Sequence, residues 1–224
     1  MSLLSIGLAY KNVVKERLRY FIFRKVRPVT TPEGFKISSI QEHISYWDLF
    51  IDKSIHGDYL FGLKNVIDIG SNYGLFCRLV WKYSPYCSIM AYEPQPKFCR
   101  LLESWKAKNF DIVEVALSDR KGNGKLNCPL IGESASLVGW EGSPTIDVCT
   151  DRLDDLYNGD FPVDLLKIDV DGGELGVLRG AINVLSKTKK VLIEIQDEGV
   201  HAFLCNLGFS GKKLSTLDWL YTKN

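Results

Sequence analysis

Three carboxylates fall within six residues of one another at Asp169, Asp171 and Glu174, in the stretch Asp164-Leu-Leu-Lys-Ile-Asp-Val-Asp-Gly-Gly-Glu174. The apolar residues before them read as a buried strand, which puts Asp169 and Asp171 at its C-terminal end, where open α/β sheets place their ligands. Glu174 then lies in the first turn of a helix whose inner stripe is Leu175, Leu178, Ile182 and Leu185. Such crowding of acids is costly as structure alone. It calls for a cation, a bound amine or hydrogen-bond donors, and Lys167 is the counter-ion within the strand itself. Carboxylates so placed can act as a general base or as cation ligands, with Asp169 the first candidate and Asp171 and Glu174 next. A divalent cation of the Mg2+ kind is the other option. Glu194 and Gln196, at the end of the next strand, complete with Asp169 a set of oxygen ligands for it. His201 follows that strand, and a neutral imidazole suits proton abstraction near pH 7, although a lone histidine serves equally as a structural residue. His43 and His56 rank below it.

A second group lies upstream. Val66-Ile-Asp-Ile-Gly-Ser-Asn-Tyr-Gly74 reads as a buried parallel strand followed by a glycine turn and a helix start. Gly70 allows the sharp turn and Gly74 bares the first helical amides, which favour an anionic group. Asp68 brings a carboxylate to the same place. Glu93 ends the following strand 25 residues later, near the spacing at which Rossmann-like folds set a carboxylate on ribose hydroxyls. That arrangement implies a ribonucleoside ligand lacking a 2′-phosphate. Pro94 stops the strand, and Pro96 suits the first turn of the next helix. Ser118 and Asp119, after a third strand, either reach the base of such a ligand or cap a turn.

Strands expected at about 64–69, 88–93, 111–116, 164–170 and 190–196 alternate with helices at about 74–83, 96–108, 173–186 and 198–206. This alternation means a mostly parallel sheet with right-handed crossovers and helices on both faces. Residues 122–150 break it with five glycines and short alternating runs, which reads as a β-hairpin inserted beside the sheet. Residues 207–223 supply a last hairpin. Residues 61–224 therefore form one domain, preceded by an N-terminal helical extension over 1–60. Within that extension, residues 29–37 are extended around Gly34, and residues 40–55 form a helix able to lid the site. Residues 11–27 form a basic amphipathic helix with seven Lys/Arg and one Glu. Its plainest role is to pack on the core with a solvated cationic face; a membrane surface, a partner or an acidic substrate is the alternative.

Outside that helix the balance is −5, so the overall net charge of +1 carries no general bias toward nucleic acid. Hydrophobic residues make up 46% of the 224, enough for a full core. No run is long enough to span a membrane, and residues 1–10 lack the order of a secretory signal. Six scattered cysteines with no Cys-x-x-Cys pair argue against a disulfide framework or a zinc site and for a reducing, cytoplasmic compartment.

Asp-Ile-Gly-Ser-Asn-Tyr-Gly, Glu-Pro-Gln-Pro, Leu-Ser-Asp, Leu-Lys-Ile-Asp-Val-Asp-Gly-Gly-Glu with Val-Leu-Arg-Gly-Ala, and Leu-Ile-Glu-Ile occur in this order between residues 64 and 196. Together they resemble the FkbM family of methyltransferases. Asp171 stands where that family usually has Glu. The resemblance implies a class I, Rossmann-like methyltransferase fold, S-adenosylmethionine as cofactor, and O-methylation of a sugar, glycan or secondary-metabolite hydroxyl. It also implies that Asp68, Gly70, Ser71, Asn72 and Gly74 hold the methionine end of the cofactor. Glu93 with Pro94 would hold the ribose, Ser118 and Asp119 would border the adenine, and Asp169 would sit by the amino group and the reacting methyl. A nicotinamide-dependent oxidoreductase would need three close glycines where Asn72 and Tyr73 stand. A non-catalytic binding platform would show gaps in the acidic set, and a nucleic-acid methyltransferase would need a basic groove near the site.

Overall fold

The computed structural model describes residues 27–51, 55, 57–105, 108–128, 135–138, 144–159 and 161–223. The basic helix expected over 11–27, and His56, lie outside them. The chain divides into two compact units, Met1–Lys53 and Ser54–Asn224.

In the first unit, β1 (Val29–Thr30) pairs antiparallel with β2 (Lys36–Ile37) across a turn closed by the Gly34 amide on the Thr31 carbonyl. Helix α1 (Ile40–Tyr46) starts in a capping box, with the Ser39 hydroxyl accepting from the Glu42 amide and the Glu42 carboxylate accepting from the Ser39 amide. The regular helix does not continue to residue 55 as its apolar spacing suggested. It widens into a π turn over Trp47–Ile51 that stacks Phe50 on Tyr46. His43 is fully buried in this unit.

The second unit is built on a seven-stranded sheet. Its parallel centre comprises β3 (Asn65–Ile69), β4 (Ser88–Tyr92) and β5 (Phe110–Val113) on one side, joined by α2 (Leu75–Tyr83) and α3 (Pro96–Glu103). The chain then forms a separate three-stranded sheet from β6 (Ala116–Leu117), β7 (Gly122–Asn127) and β8 (Thr145–Asp151). After the short α4 (Leu153–Leu156) it returns to the other side of β3 through β9 (Leu165–Ile168), α5 (Glu174–Arg179), α6 (Ile182–Ser186) and β10 (Lys190–Glu194). Helix α7 (Gly199–Asn206) leads to the hairpin β11 (Phe209–Lys213) and β12 (Asp218–Lys223), which joins the sheet edge antiparallel to β10.

The order β11-β12-β10-β9-β3-β4-β5 winds outward from β3 in both directions. Strand order therefore reverses between β3 and β9, and a crevice must open at their C-terminal ends. Leu165, Leu166, Lys167 and Ile168 are all buried, as are Val66 to Ile69, so both faces of the central strands are covered. This is the Rossmann-like fold the alternation predicts, with the inserted β-structure in place.

Two elements differ from expectation. The third strand stops at Val113, and Ala116–Leu117 crosses to the second sheet to pair in parallel with Thr150–Asp151. The helix expected over 173–186 breaks at Gly180-Ala181. A Cβ on Gly180 would lie 2.0 Å from the Ser118 carbonyl oxygen, so backbone packs on backbone there and only glycine fits. Among the described residues, no helix is long and apolar enough to cross a membrane.

Candidate active site

Parallel pairing sets Asp68 of β3 beside Lys167 of β9, so the two side chains share a face of the sheet. The Lys167 ammonium reaches Asp68 Oδ1 at 3.3 Å, Asp169 Oδ2 at 3.1 Å and the Gly70 carbonyl at 3.5 Å, above the Phe76 ring. Burial opposes charge on this lysine, but Asp169 and Asp68 outweigh it and hold its pKa above the ordinary value. Asp68 is 0% exposed, and its second oxygen accepts from the buried Cys77 thiol at 3.0 Å. Burial, with Asp68 beside it, pushes the Cys77 thiol well up and keeps it protonated. Asp68 is buried and anchors Lys167, which steadies Asp169; Asp68 Oδ1 has the Lys167 ammonium at 3.3 Å but no hydrogen bond among the described residues. The Asp169 side chain is 40% exposed and is the open carboxylate of this trio.

The loop after β3 is fastened at several points. A Cβ on Gly70, whose φ is 76°, would come 1.9 Å from the Asp169 carbonyl oxygen, so glycine is required for the two strand tips to touch. Gly74, with φ 69°, starts α2. The Ser71 hydroxyl is buried and donates to the Asp68 carbonyl at 2.8 Å, which makes it a brace within the loop. Glu93, 3% exposed at the tip of β4, accepts from the Asn72 amide through one oxygen and from the Gln95 amide through the other, both at 2.8 Å. Desolvation raises its pKa to about 7 against the pull of those two amides. Asn72 is held at φ 47°, and its buried Oδ1 has no hydrogen-bond partner among the described residues. Glu93, Asn72, Gly70, Lys167 and Asp169 are therefore linked through one chain of contacts around the β3–β9 crevice.

The next turn carries the other acids. Asp171 (φ 49°) and Gly172 (φ 95°) form a tight left-handed pair, closed by the Gly172 amide donating to Glu174 Oε1 at 2.7 Å. Glu174 is 0% exposed and holds this turn from beneath. Burial raises its pKa, and its Oε2 has no hydrogen-bond partner among the described residues. Gln196 Nε2 donates to Asp171 Oδ1 at 3.2 Å and lies 3.5 Å from Glu194 Oε1. Burial, followed by the Asp169, Asp218 and Asp171 charges, raises Glu194 to about 7. From the insertion, the Ser136 hydroxyl donates to the Asp171 carbonyl at 2.6 Å, and Val138 packs over Gly172.

Several expected site residues stand in other surroundings than the spacing suggests. Asp169, Glu194 and Gln196 do not form a metal centre: Gln196 turns its amide nitrogen, a donor, toward the acids. Among the described residues, no three His, Cys, Asp or Glu side chains gather as metal ligands. Ser118 and Asp119 are not at the tip of β5, where Glu114 and Val115 stand. Ser118 lies beyond β6, its amide on the Asp151 carbonyl and its own carbonyl against Gly180 at the far end of α5. His201 bonds the Tyr221 hydroxyl through Nδ1 and packs edge-on to Trp219. Tyr221 pairs with Val191 and Trp219 with Ile193 of β10, so this imidazole is held by the terminal hairpin.

The sequence reading did not anticipate Cys77, Ser136 and Val138. Cys77 carries no motif beyond its place in the first turn of α2. Ser136 and Val138 sit in an irregular stretch whose docking on Asp171 depends on contacts 35 residues away in sequence.

A family model described as the methyltransferase FkbM domain matches residues 68–210. The hexuronic acid methyltransferase AglP of Haloferax volcanii is 30% identical over 134 residues, covering 57% of this chain and 54% of that protein. Methyltransferase sdnD of Sordaria araneosa is 27% identical over 184 residues (65% and 71%). The 2-O-methyltransferase NoeI of Sinorhizobium fredii is 27% identical over 159 residues (61% and 65%). The chain thus spans about half to two thirds of the length of the relatives it matches. The matched span runs from the first site carboxylate through the sheet to β11, and on this ground the chain belongs to the FkbM methyltransferase family.

Proposed function

We propose that this protein is an S-adenosylmethionine-dependent O-methyltransferase acting on a hydroxyl of a sugar or glycan. The observation that carries this reading is the convergence of an open carboxylate, Asp169, with the buried Glu93 and the Gly70–Gly74 turn at one strand-order reversal, inside a family-matched domain. The names of two relatives, a hexuronic acid methyltransferase and a 2-O-methyltransferase, support the sugar as acceptor class.

The residues fit the cofactor. The buried Asn72 Oδ1 lacks a partner among the described residues, and a ligand donor would supply one. Glu93 spends one lone pair of each oxygen on a backbone amide and keeps the others for the two ribose hydroxyls. Gly70, Ser71, Asn72 and Gly74 hold the methionine end, Pro94 follows Glu93 beside the ribose, and Glu114 and Val115 at the tip of β5 border the base. When bound, S-adenosylmethionine supplies an electrophilic methyl on a sulfonium.

Asp169 takes the proton of the acceptor hydroxyl as its oxygen attacks. Lys167 fixes the carboxylate at 3.1 Å, so one oxygen stays oriented while the other faces the crevice. Asp171, supported by Glu174 and Gln196, positions the acceptor. The test is calorimetric titration with S-adenosylhomocysteine, followed by transfer of labelled methyl to a panel of free and oligomeric sugars. Binding together with base-stable labelling of a sugar is expected. Absence of S-adenosylhomocysteine binding, or methyl transfer confined to carboxylates or amines, overturns the proposal.

A further inference from the structure

The acceptor side of the crevice has a charge pattern of its own. Ile193 lies level with Ile168, so Glu194 emerges level with Asp169, and Glu194 pairs directly opposite Asp218 of β12. Like charges directly opposite one another in a sheet destabilise it, yet here Asp169, Asp171, Glu194 and Asp218 all meet at one end of three neighbouring strands. Their electrostatic coupling is evident at Glu194, on which the other three act. Among the described residues, little positive charge answers Asp169, Glu194 and Asp218. Lys167 is buried and divided between Asp68 and Asp169, and among the described residues no lysine or arginine pairs with Glu194 or Asp218. Asp218 is instead supported by the Ser215 hydroxyl at 2.7 Å.

An independent observation points to a missing partner. Glu174, 0% exposed beneath the Asp171–Gly172 turn, has one oxygen on the Gly172 amide while the other is buried with no hydrogen-bond partner among the described residues. At the rim, the exposed Gln196 amide lies between Asp171 and Glu194, and Val138 presents a half-exposed apolar surface over Gly172. Carboxylates, an amide and an apolar patch suit a polyhydroxylated ring with a hydrophobic face. The bound cofactor, with a sulfonium, an ammonium and a carboxylate, adds one net positive charge and leaves the rim negative.

We infer that this rim sorts acceptors by charge: a glycoside bearing a protonated amine is preferred, a neutral glycoside is accepted, and a carboxylate-bearing glycoside is turned away. The inference rests on the methyl-transfer reading above and adds to it the class of acceptor.

The test uses three matched probes: methyl glucosaminide with a free amine, methyl glucoside and methyl glucuronide. One arm measures their binding to the full chain saturated with S-adenosylhomocysteine, by ligand-observed NMR; the other measures methyl transfer from labelled S-adenosylmethionine. The glucosaminide should bind at least tenfold more tightly than the glucuronide, with the glucoside between. Raising salt from 20 to 500 mM should shrink that gap by screening. The double variant Glu194→Gln/Asp218→Asn should shrink it at low salt. Glucuronide binding equal to or tighter than glucoside binding overturns the charge rule, as does a gap that neither salt nor the double variant alters. Ranked binding with no transfer to any probe sinks the sugar-methylation reading and leaves the charge rule standing. Transfer without ranking does the reverse. Failure of all three to bind the saturated protein overturns both.

Discussion

The floor and the rim of the crevice hold similar residues under opposite conditions. On the floor, Asp68 is fully buried, and its oxygens are taken by the Lys167 ammonium and the Cys77 thiol. At the rim, Asp169, Asp171, Glu194 and Asp218 come together at one end of three neighbouring strands, with the Gln196 amide between Asp171 and Glu194. Charge that is closed and paired shapes the strand tips. Charge that is open and crowded is costly to keep, and on the proposal above a bound acceptor is what relieves it.

The largest expected effect comes from the floor. Lys167→Met removes the only cation of a buried trio and leaves the Asp68 carboxylate in the core with a thiol as its single donor. Breaking a buried ion pair from one side costs about 3–5 kcal/mol. Urea unfolding of the full chain should register a loss of that size, and Lys167→Met with Asp68→Asn should recover part of it, because the uncompensated charge is gone. If the single variant is as stable as the parent, floor and rim do not differ in the way described.

At the rim the loss should be of turnover and not of fold. Asp169→Asn keeps the shape and the contact with Lys167 but can no longer take a proton. It should lower kcat by about 10²–10⁴-fold, the usual contribution of a positioned base, and shift stability by only about 1 kcal/mol. Affinity for S-adenosylhomocysteine should remain within a few-fold. Equal loss of stability and turnover would move Asp169 down into the structural floor.

Glu93 sits between these extremes, buried yet left with acceptor capacity. Glu93→Ala should weaken S-adenosylhomocysteine binding by about 1.5–3 kcal/mol, the scale of hydrogen bonds to a charged group. Its pH dependence has two opposed signs. Burial raises Glu93 from 4.5 to about 7, so the native state binds the proton more tightly than the unfolded chain does. Stability should therefore fall as pH rises from about 4.5 to about 7, with a slope of at most about 1.4 kcal/mol per pH unit from this group. Glu194, raised to about 7, adds to the slope in the same window. Cofactor binding should respond the other way. Ribose hydroxyls donate to the carboxylate form, so affinity should drop as pH falls below about 7. Calorimetry in buffers of different ionisation enthalpy will show proton release on binding if this holds.

The fold and the floor were legible in the chain because local spacing determines them. An apolar strand ending in an acid and a glycine, repeated across the sheet, leaves few arrangements, and Lys167 between Leu166 and Ile168 can only point where Asp68 points. The rim was legible in composition but not in role. Gln196 has the residue type of a metal ligand, and only its placement between two acids shows its nitrogen to be the group in use. The surroundings of Ser118 were hidden for a similar reason. Leu117-Ser118-Asp119 continues the apolar run of β5, yet two residues after Val113 the chain has already moved to another sheet. Nothing in the period-2 pattern of so short a segment records which sheet it joins. The docking of Ser136 and Val138 depends on tertiary contacts alone.

The smallest expected effect tests the boundary of the site. By residue type His201 is the natural base near neutral pH, and by sequence it follows the strand that ends in Glu194. The structure gives it a different neighbourhood: it bonds Tyr221 and packs on Trp219 of β12, which lie opposite Val191 and Ile193 of β10. His201→Gln should therefore cost the Tyr221 hydrogen bond, about 1 kcal/mol of stability, while kcat/KM for the best acceptor stays within about twofold. Tyr221→Phe should reproduce the stability loss, and the double variant should lose little more than either single one, because both remove the same bond. A drop in kcat with His201→Gln that Tyr221→Phe does not share would place the imidazole among the reacting groups and move the proton acceptor away from Asp169.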